Sequence, residues 1–363
     1  KSPDVYPLWV TKLRFWGKSW FDPPIRRRIK QRLNGREIPM NVLVTCRLPE
    51  DILSKLSDHF NITGHFEDPP MTPERLREAV AGSQGILCTI SDLIDAAVFD
   101  TAPQLKVVAN FGVGVNNIDV AAATERGILV TNTPGVLTNA TADLAMALIL
   151  AVGRRIVEGD RMVREGKFRF WAPFHFLGHE ISGKTLGIIG LGRIGRAVAR
   201  RAAGFGMNIL YNNRRRLAPE REAALEVEFT DLESLLSESD FVSLHVPLTD
   251  DTRHLVGAPE LACMKPSAFL INTARGPVVD ETALVDALER DVISGAGLDV
   301  YESEPELAPG LAELPNVVLL PHVGSATVET RYKMAAMAAD NLLAALAGRI
   351  PPNLVNPPSS GRG

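Results

Sequence analysis

The stretch GIIGLGRIG, residues 187–195, decides how the rest of the chain is read. Gly190, Gly192 and Gly195 stand at the spacing G-x-G-x-x-G. That spacing is a weak signal unless a strand precedes it and a helix follows. Here the apolar run TLGIIG (185–190) comes before it, and residues 194–205 continue with helical periodicity. In this setting Gly190 permits a tight turn, Gly192 lets the backbone approach a pyrophosphate, and Gly195 lets the helix pack on the strand. The start of the helix, at Arg193 and Ile194, offers unpaired N–H groups and a positive dipole end to phosphate. Arg193 can add a charge-assisted bond. The stretch therefore predicts a dinucleotide-binding turn.

The next strand, NILYN (208–212), runs into NRRR (213–216). Such a strand usually ends on an acid, which bonds the ribose hydroxyls of NAD and repels a 2′-phosphate. Asn213 removes the repulsion, and Arg214 and Arg215 can pair with a dianion. The expected cofactor is NADP, as NADPH. NAD held by Asn212 or Asn213 is the alternative.

Working outward, short apolar runs alternate with helical stretches over both halves of the chain. NVLVT (41–45), GILCT (85–89), LKVVAN (105–110) and ILVTN (128–132) read as strands of a first domain. FVSLHV (241–246), AFLINT (268–273), ISGAGLDV (293–300) and VVLLP (317–321) extend the second. This pattern predicts an α/β protein with two doubly wound parallel-sheet domains. The expected limits are 40–139 with 322–355 for the first domain and 140–321 for the second. A long helix over roughly 139–165, with cap candidates Thr138 and Asn139, and a second over 326–347 would carry the chain across and back, with a cleft between. KFRFWAPFHFLGHE (167–180) is aromatic and irregular.

The totals narrow the function classes. At 363 residues, 45% hydrophobic and 23% charged, the chain is an ordinary globular protein with room for two domains. A net charge of −4 argues against nucleic acid as the main partner. No apolar run reaches the roughly 18–20 residues of a membrane span, so no membrane partner is expected. Cys46, Cys88 and Cys263 are scattered, which suits free core thiols, a reducing cytoplasm and no metal site. Residues 1–39 differ, with ten Lys or Arg against three acids, leaving 29 against 40 in the rest. They are read as a non-native or mis-started extension. A transit segment or an interaction arm are the alternatives.

In open α/β sheets, ligands bind beyond the carboxyl ends of the strands. Reading those ends gives Val246-Pro247, Thr273-Ala274-Arg275, Asp299 and Pro321-His322. Together with GLGRIG (190–195), the motifs NTARGPVVDE (272–281), GLDVYESEP (297–305), PHVGSAT (321–327) and FGVGVNNID (111–119) make the chain resemble the D-isomer-specific 2-hydroxyacid dehydrogenases. The resemblance covers about 40–355 and is closest to the glyoxylate/hydroxypyruvate reductase branch, which includes 2-ketogluconate reductases. It implies a flavodoxin-like substrate domain, a Rossmann cofactor domain and a small 2-keto acid as substrate. By motif position, the catalytic Arg, Glu and His map to Arg275, Glu304 and His322. The backbone N–H groups of Val113 and Gly114 map to the carboxylate cradle, and Asp299 to the nicotinamide carboxamide.

The residue types suit this chemistry. Arg275 offers a planar fork to a carboxylate and carbonyl. His322 would be the acid in reduction and the base in oxidation, with Glu304 beside it to favour imidazolium. Sequence alone leaves Glu302 and Glu306 open as its partner. Val246, Pro247, Thr273 and Ala274 would line the cofactor. Trp171, in the aromatic linker, is implied to reach the substrate site of a neighbouring subunit, hence a homodimer. A plain core or interface anchor is the competing reading. His175, His179 and His245 read as structural. Outside reductases, the same fold serves as a dinucleotide-sensing transcriptional corepressor. Within enzymes, a formate dehydrogenase would need no His–Glu pair.

Overall fold

The structure, a computed structural model, describes residues 40–66 and 69–357. The basic segment 1–39 lies outside them. The described chain forms two compact units, one from its start to Thr133 and again from Ala335, the other from Pro134 to Met334. The expected crossings near 140 and 322 delimit a shorter stretch. The second boundary falls within the helix Val328–Leu346.

In the first unit, β1 (Asn41–Val44), β2 (Asn61–Gly64), β3 (Gly85–Thr89), β4 (Val107–Phe111) and β5 (Leu129–Thr131) form one sheet. The order is β2-β1-β3-β4-β5, and every pairing is parallel. This is the flavodoxin-like order. The twofold period of a strand sends alternate residues to opposite faces. Leu43, Ile86, Cys88 and Val108 therefore join one core, while Val42, Val44, Leu87, Val107 and Ala109 join another with Ala335, Ala338 and Leu342.

In the second unit, seven parallel strands pair: β6 (Thr185–Ile189), β7 (Asn208–Asn212), β8 (Glu228–Phe229), β9 (Phe241–Leu244), β10 (Phe269–Asn272), β11 (Gly295–Leu298) and β12 (Val317–Leu319). Their order is β12-β11-β10-β9-β6-β7-β8. The chain runs from β6 through β7 to β8 on one side, then restarts at β9 on the other. The crevice at this reversal is where such sheets take ligands. The helix Thr138–Gly153 is apolar nearly all round, as a buried helix must be. Its Ala142, Ala145, Leu148, Ile149 and Val152 share a core with Leu186, Ile188, Phe241 and Ile271.

Three local expectations are corrected. The helix expected over 139–165 is two, Thr138–Gly153 and Ile156–Arg164. Arg155 breaks it with φ of 55°, held over the Phe176 ring at 4.1 Å and bonded to Glu158 and to the Leu177 carbonyl. Neither Thr138 nor Asn139 caps that helix: its N-cap is Leu137, with no side-chain bond. All three cysteines are free, but only Cys88 is buried, and Cys263 is exposed. Burial pushes the Cys88 thiol well up, so it stays protonated.

Candidate active site

The glycine turn joins β6 to the helix Arg193–Gly204. Gly190 has φ of 98°, and a Cβ there would lie 2.7 Å from the His245 carbonyl carbon and oxygen. A Cβ on Gly195 would lie 2.3 Å from the Gly190 oxygen. Both positions thus exclude any other side chain, while the space around Gly192 is open. Gly192 is also the helix N-cap and offers no side chain to its first-turn N–H groups. Those donors are left for an external acceptor, which is what a pyrophosphate supplies. Arg193 is exposed and Ile194 half-buried in the same turn.

The loop after β7 divides its cationic and amide groups. Asn213 Oδ1 accepts from the Leu191 N–H at 2.7 Å and so braces the glycine turn. Arg216 is committed to Glu222, with Nε–Oε1 of 2.9 Å and Nη2–Oε2 of 2.8 Å, and lies over Phe229. The bond from Arg216, then that from Tyr211, holds the Glu222 carboxyl below its usual range. Arg214 and Arg215 are exposed, and neither has an ion-pair partner among the described residues. On the other side of the reversal, Val246 and Pro247 follow β9. Thr273 is buried at the end of β10, and its Oγ1 has no partner among the described residues. The turn, its free donors and this orphaned hydroxyl fit a dinucleotide.

Arg275, Glu304 and His322 all lie in the second unit. His322 follows β12 in a left-handed conformation, φ 52°, uncommon for a residue with a side chain. Its Nδ1 is 2.7 Å from Glu304 Oε2. The other carboxylate oxygen of Glu304 accepts from the Tyr301 N–H at 3.0 Å. Of the three glutamates left open by the sequence, Glu304 is the one that reaches His322. Glu302 bonds His254 instead, at 2.6 Å. Burial raises the Glu304 carboxyl, but the His322 bond and charge, the Tyr301 N–H and Arg275 outweigh it and hold it below its usual value. His322 and Glu304 keep 27% and 34% of their side-chain surface exposed, so the pair is accessible to a small molecule. His322 Nε2 has no hydrogen bond among the described residues.

Arg275 follows β10. The buried Asn272 shapes its turn, donating to the Arg275 carbonyl at 3.0 Å and accepting from the Ala274 N–H at 3.0 Å. One guanidinium nitrogen bonds the Ala274 carbonyl at 2.7 Å. Burial lowers the Arg275 pKa, and the Glu304 charge opposes that shift. Asp299, at the end of β11, is buried and accepts from the Val323 and Gly324 N–H groups, both at 2.7 Å. It thus fastens the loop that carries His322. Tyr301 fastens the approach to that loop, donating its hydroxyl to the Leu320 carbonyl at 2.8 Å. Asn272 and Tyr301 went unread in the sequence, although both stand inside its motifs. Val113 and Gly114 lie in the first unit, on the loop after β4. Trp171 is 77% exposed, amid Phe168, Phe170, Phe174 and Leu177, all exposed.

The family description "D-isomer specific 2-hydroxyacid dehydrogenase, NAD binding domain" matches residues 146–324. A glyoxylate reductase of Korarchaeum cryptofilum is 53% identical over 318 residues, 87% of this chain and 95% of that protein. A glyoxylate reductase of Thermococcus litoralis is 51% identical over 320 residues, 87% and 96% of the two chains. The crystal structure of an NADPH-dependent glyoxylate/hydroxypyruvate reductase from Sinorhizobium meliloti, in complex with NADP and malonate, matches with a TM-score of 0.77 and 35% identity. That match covers 88% of this chain and 97% of the other. With the likeness running over nearly the whole of each relative, and with the glycine turn and the Arg275–Glu304–His322 group in one unit, the chain belongs to the D-isomer specific 2-hydroxyacid dehydrogenase family of oxidoreductases.

Proposed function

We propose that this enzyme reduces a small 2-keto acid, namely glyoxylate, hydroxypyruvate or 2-ketogluconate, to the D-2-hydroxy acid, with NADPH preferred over NADH. The observation that carries the reading is the Glu304–His322 pair, with Oε2 2.7 Å from Nδ1 and Nε2 without a hydrogen bond among the described residues. When bound, the nicotinamide supplies the hydride. The cofactor is held by Gly190, Gly192, Arg193, Ile194 and Gly195 at the pyrophosphate. Arg214 and Arg215 meet the 2′-phosphate, and Val246, Pro247, Thr273, Ala274 and Asp299 line the remainder. The uncommitted charges of Arg214 and Arg215 support the NADPH preference.

Arg275 grips the substrate carboxylate and polarises its carbonyl through a charged, planar fork. Imidazolium His322 gives its Nε2 proton to the carbonyl oxygen as that oxygen gains charge, while Glu304 keeps Nδ1–H in place. The products are the hydroxyl and a neutral imidazole still bonded to Glu304. In oxidation, Nε2 takes the proton back. Val113 and Gly114 serve the substrate carboxylate through their N–H groups. In this reading the first unit is the substrate domain and the second the cofactor domain. The protein is a homodimer whose Trp171 reaches a neighbouring substrate site, and the three free thiols suit the cytoplasm.

NADPH and NADH oxidation measured against glyoxylate, hydroxypyruvate, pyruvate and 2-ketogluconate tests the reaction. Replacing His322 by Ala should lower kcat by ~100-fold or more, as expected for a lost general acid. An undiminished kcat in that variant would move the proton donor elsewhere.

A further inference from the structure

The loop after β4 has three consecutive carbonyls already engaged. The Gly112 oxygen accepts from the Thr133 N–H at 2.9 Å, the Val113 oxygen from Asn132 Nδ2 at 2.7 Å, and the Gly114 oxygen from Asn110 Nδ2 at 2.8 Å. In a trans peptide, the N–H points away from the carbonyl of the same unit. Holding these oxygens therefore turns the N–H groups of Val113, Gly114 and Val115 to the opposite side. None of the three meets an acceptor among the described residues. Free backbone N–H groups of this kind are donors available to an anion.

The two asparagines are themselves held. Asn110 is fully buried, and its Oδ1 accepts from Asn117 Nδ2 at 3.4 Å. The Asn132 backbone donates to the Asn353 carbonyl at 3.2 Å and accepts from Asn341 Nδ2 at 3.0 Å. Gly112 gives the Asn110 amide room to reach across, since a Cβ at 112 would lie 3.1 Å from Asn110 Nδ2 and 2.7 Å from Ile90 Cγ2.

We propose that Asn132 and Asn110 are positioning residues for carboxylate recognition. Asn132 fixes the Val113–Gly114 peptide, whose Gly114 N–H takes the substrate carboxylate with that of Val113, and Asn110 fixes the Gly114–Val115 peptide that follows. The inference rests on the reading above, in which this loop serves the carboxylate. Neither side chain touches substrate. Without Asn132, the Val113–Gly114 peptide is free to rotate and to turn its oxygen toward the anion. The loss then falls on carboxylate binding and spares proton transfer.

Oxamate, a 2-oxo carboxylate that is not reduced, serves as the probe on the NADPH-loaded protein. Asn132→Ala and Asn132→Leu should raise its calorimetric Kd ~10-fold, the scale of one lost hydrogen bond. KM for glyoxylate should rise by a similar factor, with kcat within ~3-fold of the wild type and the NADPH Kd unchanged. Asn110→Ser should act in the same direction, and the Asn132 variants carry the test if it does not fold. Asn356→Ala is the structural control. Asn356 holds β5 through the Val130 N–H at 2.7 Å and the Ile128 carbonyl at 2.9 Å, and none of its side-chain bonds among the described residues goes to residues 110–115. It should lower Tm and leave the oxamate Kd alone. The proposal is overturned if the Asn132 variants bind oxamate as the wild type does, or if Asn356→Ala weakens it equally. A wild type that neither binds oxamate nor reduces any 2-keto acid overturns the keto-acid reading itself.

Discussion

At the residue scale, the division of labour among the acids past β11 is the sharpest result. Glu304 meets His322, while Glu302 meets His254 and accepts weakly from the Glu281 N–H at 3.5 Å. Glu304→Gln should therefore lower kcat by ~10-fold or more, because an amide cannot orient and charge-stabilise the imidazole as a carboxylate does. Glu302→Gln should leave kcat within ~2-fold. Equal losses in the two variants would contradict the assignment. The resemblance mapped the pairing to Glu304, but the residues alone left Glu302 and Glu306 open, since the choice depends on how the Tyr301 N–H turns one carboxylate. The placement of Arg275 and His322 past strand ends was legible because their motifs follow apolar runs. The bonds by which Asn272 braces Arg275 and Asn213 braces the glycine turn were not, because an asparagine's type and position do not say which backbone groups its amide will meet. His245 gives a separate, pH-dependent prediction. Burial lowers its pKa from 6.5 to about 4, so the folded state keeps it neutral. As pH falls below 6.5, the unfolded chain takes the proton first, and stability declines until about 4. The slope should approach 1.4 kcal/mol per pH unit at most, by the usual linkage relation. Urea midpoints measured between these pH values should show the slope in the wild type and a smaller one in His245→Gln.

At the element scale, the β6 turn and the β7 loop carry different parts of the proposed cofactor reading. Gly195→Ala places a methyl 2.3 Å from the Gly190 oxygen, so the helix must move off the strand. The expected cost is roughly 1–3 kcal/mol, as for other overpacked sites, with a Tm lowered by several degrees and weaker binding of both dinucleotides. Arg214→Ala with Arg215→Ala should raise the NADPH KM ~10-fold or more and leave the NADH KM within ~2-fold, since one charge-assisted bond is worth more than a factor of ten. Parallel changes in both KM values would end the NADP argument. Arg216→Ala should instead lower Tm, because that guanidinium is spent on Glu222 and Phe229. The buried parallel strands were legible as apolar runs. The edge strand β2, Asn61–Gly64, was not, because NITG is mostly exposed and carries no apolar pattern. The break at Arg155 also escaped, since its cause is a ring and a carbonyl over twenty residues further on.

At the scale of the whole molecule, the second unit exposes several large apolar side chains. Trp171 and Phe174 are 77% and 87% exposed, and the helix Ile156–Arg164 has no buried residue while exposing Ile156, Val157 and Val163. Exposed apolar side chains in this number suit the association with a second copy of the chain proposed above. Sedimentation should report a dimer, and Phe174→Glu should shift it toward monomer at micromolar concentration. A Trp171→Ala dimer with unaltered substrate discrimination would restrict that tryptophan to holding subunits together. The order of the seven strands has a further consequence. The phosphate turn and the arginine loop leave from β6 and β7, whereas Arg275, Asp299 and His322 leave from β10, β11 and β12. On the proposed role of Arg214 and Arg215, a lineage exchanges one coenzyme pool for another by editing a couple of codons after β7. The proposed proton donor and its partners, encoded at other strand ends, are left untouched.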